Sequence, residues 1–486
     1  MLKIGVDKDN PMTHIIKTDV CVIGAGSAGL SVAVGAAQMG VSVVLIEKNK
    51  MGGDCLNTGC IPSKSLLAAA KAAHMSENMS AIGLKAENLI IDHAAVHKHI
   101  QDVIKHIAPH DSTERMESLG IKVIHGMAQF INEREIKVGD TIVKSKRFVI
   151  ATGSKPIHPE IAGLDKVPFF TNETIFNAQR LLDHLIIIGG GPIGMEMAQA
   201  HRRLGSKVTL LEKFTIMPRD DQEAVNVIRR RFKKEGIELV ENVDPVQVAI
   251  NHGVVTVSYR HKGELHSVEG SHLMMAVGRT PNVRKLQLDL AGISYNQKGI
   301  VVNEHLRTHN HRIYAIGDVI GQQQFTHAGN YHAGIVLRNM LFRMSAKVDP
   351  KVIPWVTFTD PELAQAGMTE AACEALHMVY KVYRFPFEEN DRAQCERQTE
   401  GLIKVVVDGT EKIIGVTICG HNAGELISFW LLAMAKNVKF KDIARLVLPY
   451  PTYSEVHKGI TSAYFRPIIF SKKVQWLARF LMKLTS

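Results

Sequence analysis

The chain has 486 residues, 45% of them hydrophobic and 22% charged, with 17 prolines; that is room for about two to four domains, and it excludes a disordered, collagenous or low-complexity protein. A formal net charge of +10 favours anionic partners, but no recognition motif or aromatic platform supports nucleic acid. Six cysteines cannot staple so long a chain, the N-terminal MLKIGVDKDNPMTH lacks a secretory pattern, and no run of 18 apolar residues occurs, so a cytoplasmic protein is expected, soluble or at most peripheral on the inner face of the membrane.

In chain order, the first strong signal is VCVIGAGSAGLSVAVGAAQMGVSVVLIEK from Val20. Four apolar residues predict a buried parallel strand, Gly24, Gly26 and Gly29 a tight turn, and the stretch to Gly40 a helix. A second apolar strand ends in Glu47. Directly after it, MGGDCLNTGCIPSK sets Cys55 and Cys60 five apart at the mouth of a helix predicted to begin near Ile61. The positive helix end and Lys64 both favour a thiolate there. Metal binding is the rival reading, although no second close Cys or His pair completes a structural zinc site.

His93, His97, His99, His106 and His110 crowd one predicted helix with two pairs at i,i+4. Metal ligands use that spacing, but a solvated face is the expected reading, and no metal site is assigned. KRFVIATGSKP (146–156) then runs from an apolar strand into a turn at Thr152 and Gly153.

At Leu185 the opening pattern returns as LIIIGGGPIGMEMAQAHRRLGSKVTLLEK, with Gly189, Gly191 and Gly194 in register with the first three glycines and Glu212 in register with Glu47. A lone glycine motif is weak evidence, but strand, turn, helix, strand and terminal acid repeated in register make two dinucleotide fingerprints. The glycines let backbone amides approach a pyrophosphate at a helix N-terminus, and the acid accepts hydrogen bonds from ribose hydroxyls.

LMMAVGRTPN (273–282), containing Gly278, repeats the strand-to-turn arrangement, and RIYAIGDV (312–319) places Asp318 after a short strand, where it can meet a ribityl or ribose hydroxyl. From about Lys351 alternating strands (352–359, 379–385, 401–407 and 413–419) with intervening helices indicate a third domain. Cys373, Cys395 and Cys419 have no near cysteine partner and read as packing or surface residues. The tail FSKKVQWLARFLMKLTS places Val474, Leu477, Leu481 and Leu484 at helical spacing among Lys472, Lys473, Arg479 and Lys483, beside Trp476 and Phe480. Such a basic amphipathic helix (471–486) suits an anionic membrane surface and suits docking on its own dimer almost as well.

Together the GGDCLNTGCIPSK segment, both fingerprints, ATGS, GRTPN, the GDV segment and PELAQAGMTE make a pattern that resembles the flavin-dependent pyridine nucleotide-disulfide oxidoreductases over about residues 18–460. The resemblance implies an α/β fold of two doubly wound dinucleotide-binding domains, one inserted in the other, plus a C-terminal α+β dimerisation domain. The implied boundaries are 1–155 with 283–350 for FAD, 156–282 for NAD(P), 351–470 for dimerisation and 471–486 for the tail.

It further implies a homodimer in which Gly24, Gly26, Gly29, Glu47, Lys48, Gly53, Lys64, Thr152, Gly153 and Asp318 hold FAD, while Gly189, Gly191, Gly194, Glu212 and Gly278 hold the nicotinamide dinucleotide. Lys64 and Glu196 resemble the family's ion pair beneath the flavin. Cys60 resembles the cysteine that touches the flavin and Cys55 the one that exchanges with substrate. Glu212 favours NADH, because a carboxylate accepts from both ribose hydroxyls and repels a 2′-phosphate; Lys213 and Arg219 leave NADPH open.

One position departs from the pattern. Disulfide reductases of this family carry a His-Pro-Thr segment followed by Glu, the histidine being the acid and base for the exchanging thiol. Here LPYPTYSE puts Tyr450 at that place and Glu455 in register. Tyrosine, titrating about three units above histidine, is too weak an acid to cycle protons at neutral pH. The tyrosine resembles the mercuric reductase branch, whose substrate is a thiophilic metal ion. That branch usually adds a vicinal cysteine pair near the C-terminus and often an N-terminal metal-binding domain; here the last cysteine is Cys419, and Asp54 stands where many relatives have threonine. The expectation is an FAD enzyme passing electrons from NAD(P)H through Cys55 and Cys60 to a small-molecule or metal-ion acceptor. The alternatives are a dihydrolipoamide dehydrogenase-like enzyme and a membrane-docked redox sensor or electron-transfer module.

Overall fold

A computed structural model describes residues 3–6, 14–85 and 89–484. The first sheet is built on strands His14–Ile23, Val43–Glu47, Ile121–His125 and Thr141–Ile150, which run parallel in the order Ile121, Val43, His14, Thr141. Ile313–Ala315 adds in parallel to the far end of Thr141–Ile150, while an antiparallel meander, Gln129–Asn132 and Glu135–Val138, extends its near end. All five residues of Val43–Glu47 are buried, as a strand covered on both faces requires. Helices Ser27–Gln38 and Thr326–Phe342 pack together beside it.

The second unit repeats the plan in smaller form. Strands Glu238–Val240, Lys207–Leu211, His184–Ile188 and His272–Met275 are parallel neighbours in that order. A three-stranded antiparallel meander, Val243–Asn251, Val254–His261 and Glu264–Gly270, covers one side. The chain passes between the two units twice, and the two crossings pair with each other as antiparallel strands Ser154–Pro156 and Arg279–Pro281.

The last unit is a five-stranded antiparallel sheet in the order Trp355–Thr357, Glu362–Gly367, Ile413–Gly420, Leu402–Asp408, Tyr380–Pro386. Helices Ala423–Ala435 and Val456–Ile469 flank it, and Trp430 and Phe440 are fully buried between. The expected strand over 352–359 shrinks to Trp355–Thr357, because Pro350–Val352 forms a 3-10 turn and Pro354 cannot donate to a ladder.

One packing relation positions the site. Helix Cys60–Glu77, which begins at the second cysteine, lies against helix Pro192–Arg203 of the second unit. Leu66, Ala70 and Ala73 share a core with Met195, Met197 and Ala198. Each fully buried Leu or Met there contributes roughly 1.5–3 kcal/mol, which fixes the register of the two helices and everything at their mouths.

Candidate active site

Both glycine turns are built alike, bond for bond. Gly24 donates its N–H to Ile46 and Gly189 donates to Leu211, at 2.7 and 2.9 Å. Ala151 donates to Ile23 and Ala276 to Ile188, each at 2.8 Å. Gly24 and Gly189 take φ of +104° and +115°, and a Cβ on either would come within 2.4 Å of the carbonyl of Ala151 or Ala276. A Cβ on Gly29 or Gly194 would lie 1.9 Å from the carbonyl of Gly24 or Gly189. The middle glycines differ: beside Gly26 nothing lies nearer than 3.9 Å, and beside Gly191 the space is open. Turns of this shape could hold a pyrophosphate at the N-termini of helices Ser27–Gln38 and Pro192–Arg203.

The acids repeat as well. Glu47 accepts from Ala25 and Asn49, both at 2.7 Å. Glu212 accepts from Gly190 and Phe214, at 2.6 and 2.9 Å. Each carboxylate is thus pinned facing its own glycine turn with lone pairs to spare for ribose hydroxyls. Lys213 is held by Asp244 at 3.0 Å. Lys48 is exposed at the first cradle, and Gly53, with φ of +61°, packs against Gly26 so closely that a Cβ would lie 2.6 Å from its Cα.

Cys55 sits on a short helix, Gly53–Asn57, absent from the sequence reading, and Cys60 opens the long helix one residue earlier than expected. All six cysteines are unbridged in this structure; Cys60 is exposed and Cys55 partly buried, whereas Cys21, Cys373 and Cys419 are buried and Cys395 is exposed. The hydrogen bond from Cys55 is the main influence holding the Cys60 thiol well below its usual range, with Thr326 and the charge of Lys64 adding to it. The Thr326 Oγ1 lies 3.4 Å from the Cys60 Sγ. Cys55 is pushed the opposite way by the same hydrogen bond and by burial. The pair therefore divides its labour: Cys60 carries the thiolate and Cys55 the proton.

The Cys60 pKa falls to about 6, below the ordinary thiol value, so its thiolate persists at neutral pH and is lost as pH drops through about 6. In the reduced protein, alkylation of Cys60 by iodoacetamide, followed by peptide mass, is expected to rise with a midpoint near 6. A midpoint near the usual thiol value of about 8.5 would contradict the arrangement.

Lys64, one turn into the same helix, donates to the Glu196 carboxylate at 2.9 Å and lies 4.2 Å over the Phe358 ring. Glu196 accepts the Phe358 N–H through its other oxygen at 3.0 Å. One ion pair thus ties the cysteine helix, the second-unit helix and the last domain together.

A second network surrounds Asp318. Ser154 donates to Asp318 at 2.6 Å, and Arg279 donates to Ser154 at 2.7 Å. Arg279 also reaches Asp54 at 2.9 Å and Asn172 at 3.1 Å. Burial raises the Asp318 pKa, with the Ser154 hydrogen bond opposing it. Thr152 donates to the Asn282 carbonyl at 2.8 Å; Gly153 and Gly278 take φ of +67° and +113° at the paired crossings. Thr326, Phe358, Asn172 and Arg279 were not singled out from sequence.

Tyr450 and Glu455 stand apart. Among the described residues no hydrogen bond or ion pair joins either to Cys55 or Cys60 within the chain. Tyr450 is 69% exposed and donates to Asp391 at 3.1 Å, and that acceptor raises its pKa further above the ordinary phenol value. The histidine helix, His93–Ile107, buries only Ile100, and no group of three or more His, Cys, Asp or Glu among the described residues could hold a metal ion.

Residues 18–333 match the pyridine nucleotide-disulphide oxidoreductase family, and residues 353–459 match its dimerisation domain. Mercuric reductase of Bacillus cereus is 32% identical over 90% of this chain and 70% of that protein. Dihydrolipoyl dehydrogenase of Geobacillus stearothermophilus is 33% identical over 91% of this chain and 95% of that protein. The HOCl-induced flavoprotein disulfide reductase RclA of Escherichia coli, solved as its Cu(II) complex, superposes with a TM-score of 0.83 at 27% identity, over 92% of this chain and 99% of that one. The chain belongs to the pyridine nucleotide-disulphide oxidoreductases, FAD-dependent enzymes that use a pyridine nucleotide and form homodimers through the C-terminal domain.

Proposed function

We propose that this enzyme uses NADH to reduce a thiophilic metal ion held by Cys55 and Cys60. The observation that carries the reading is Tyr450, which occupies the position of the family's proton shuttle and is bound to Asp391 in a way that makes it a weaker acid still. Two cysteine sulfurs suit a soft ion, which displaces the Cys55 proton as it binds; its reduction frees the two cysteines, Cys55 regaining that proton, and leaves no substrate thiolate that must be protonated. For Hg(II) the balance is NADH plus Hg(II) giving NAD⁺, Hg(0) and one proton.

The glycine turn at Gly24, Gly26 and Gly29, with Glu47, Lys48, Gly53, Lys64, Thr152, Gly153 and Asp318, is assigned to FAD. Bound there, FAD supplies the two-electron carrier between nicotinamide and sulfur. Lys64, oriented by Glu196, places a positive charge where negative charge develops during reduction. Gly189, Gly191, Gly194, Glu212 and Gly278 are assigned to the nicotinamide dinucleotide, and NADH is favoured because Asp244 occupies the nearby Lys213. The pairing of Ser154–Pro156 with Arg279–Pro281 supports domain limits at 155/156 and 282/283. In the dimer, Tyr450 and Glu455 serve the other subunit's redox pair.

A second reading rests on Glu455, retained in register, and on the near-complete span of the dihydrolipoyl dehydrogenase relative. The two separate in one experiment on the FAD-loaded dimer: NADH consumption with Hg(II) buffered by excess thiol, against oxidised lipoamide. Metal-dependent consumption with little lipoamide turnover is expected, and Tyr450→His should raise the lipoamide rate by about tenfold or more, the usual worth of a placed proton carrier being 10² to 10⁴. Efficient lipoamide turnover by the native enzyme would overturn the reading.

A further inference from the structure

The C-terminal helix, Lys472–Leu484, follows Val456–Ile469 across a break at Phe470 and Ser471. Ser471 caps it, its hydroxyl accepting the Val474 N–H at 3.4 Å and its carbonyl the Gln475 N–H at 3.0 Å. None of its residues is buried. At 3.6 residues per turn, Val474, Leu477, Leu481 and Leu484 form one face, with Phe480 and Lys473 at its edge, and Lys472, Gln475, Arg479 and Lys483 form the opposite one. Trp476 stands at the border between the faces, 66% exposed, its ring stacked 5.5 Å from that of Phe480. Ile468, Ile469 and Phe470, just before this helix, are exposed as well.

We propose that this helix docks the enzyme on an anionic phospholipid surface, lying in the headgroup plane with its leucines in the acyl boundary. Charge decides the occupant. Beyond Glu455 the sequence has no Asp or Glu, while Arg466, Lys472, Lys473, Arg479 and Lys483 follow one another. Acidic headgroups match that uncompensated basic charge, and a border tryptophan suits the wet edge of an apolar layer. The helix has 13 residues, about 20 Å by its rise, so it lies along a bilayer; no helix among the described residues is long and apolar enough to cross one.

The test is co-sedimentation of the full-length, FAD-loaded dimer with phosphatidylcholine vesicles containing or lacking a quarter phosphatidylglycerol. Binding at least about tenfold tighter to the anionic vesicles is expected, with a blue shift of Trp476 emission that Trp476→Phe removes. Lys472→Glu with Lys473→Glu should weaken binding by roughly tenfold or more. Leu477→Glu or deletion of residues 471–486 should abolish it, with NADH oxidation by a soluble acceptor unchanged. Failure of the full chain to bind anionic vesicles, binding that survives the deletion, or a deletion that splits the dimer without any vesicle binding in the parent would each overturn the proposal.

Discussion

Cys55→Ala is expected to fold, to dimerise and to lose NADH-dependent reduction of the metal acceptor by about a thousandfold or more. A methyl group can neither ligate a soft ion nor form the bridge to Cys60, so both roles proposed for the pair end at once. The same change removes the hydrogen bond that is the main influence lowering the Cys60 pKa. The Cys60 alkylation midpoint should therefore rise from near 6 toward the ordinary thiol range, although Thr326 and Lys64 remain in place. The two readouts separate chemistry from structure: a variant that merely unfolds would lose turnover without a defined titration. Retained metal-dependent turnover in Cys55→Ala would remove the pair from the reaction.

The second large effect concerns how the second unit is held on the C-terminal domain. Lys404, on a central strand of the last sheet, has a side chain only 4% exposed and donates to Asp221 at 2.7 Å and Glu223 at 3.1 Å, with Glu370 as a third partner. Burial alone would lower its pKa, but the three carboxylates hold the ammonium above its usual value. Asp221 also caps helix Gln222–Lys234 by accepting from Glu223 and Ala224. Lys404→Met leaves those carboxylates facing one another around an apolar side chain, a loss of about 3–5 kcal/mol. The apparent unfolding temperature should drop by roughly three to five degrees. Arg384→Ala, which removes a half-exposed partner of Glu223 and Glu370, should cost no more than about 1 kcal/mol. Equal effects of the two substitutions would show that burial does not set the scale.

What could be read from the chain was what local geometry dictates. The two glycine turns were visible because each glycine answers a clash a few residues away or an opening that a ligand needs, and because Glu47 and Glu212 close the same short loop of hydrogen bonds. The departure at Tyr450 was legible for the same reason, as one residue in a short motif. Thr326 was not: it meets Cys60 across 266 positions of sequence, and nothing in its own surroundings marks it. Arg279 and Asn172 likewise acquire their roles only when the paired crossings bring them to Asp54. Strand Glu362–Gly367 was missed because Glu, Leu, Ala and Gln favour helix locally. Pairing on both sides with Trp355–Thr357 and Ile413–Gly420 overrides that preference.

Electrons from the nicotinamide are expected to reach Cys55 and Cys60. The most direct measurement is anaerobic: the oxidised, FAD-loaded enzyme is treated with NADH, all thiols are trapped by alkylation, and each cysteine peptide is weighed. The prediction is that alkylation of Cys55 and Cys60 appears only after NADH, one NADH with one proton yielding the two thiols, while Cys21, Cys373, Cys395 and Cys419 are alkylated equally with and without it. If NADH is consumed and Cys55 and Cys60 remain unchanged, the cysteine pair lies off the electron path and takes no part in the reaction.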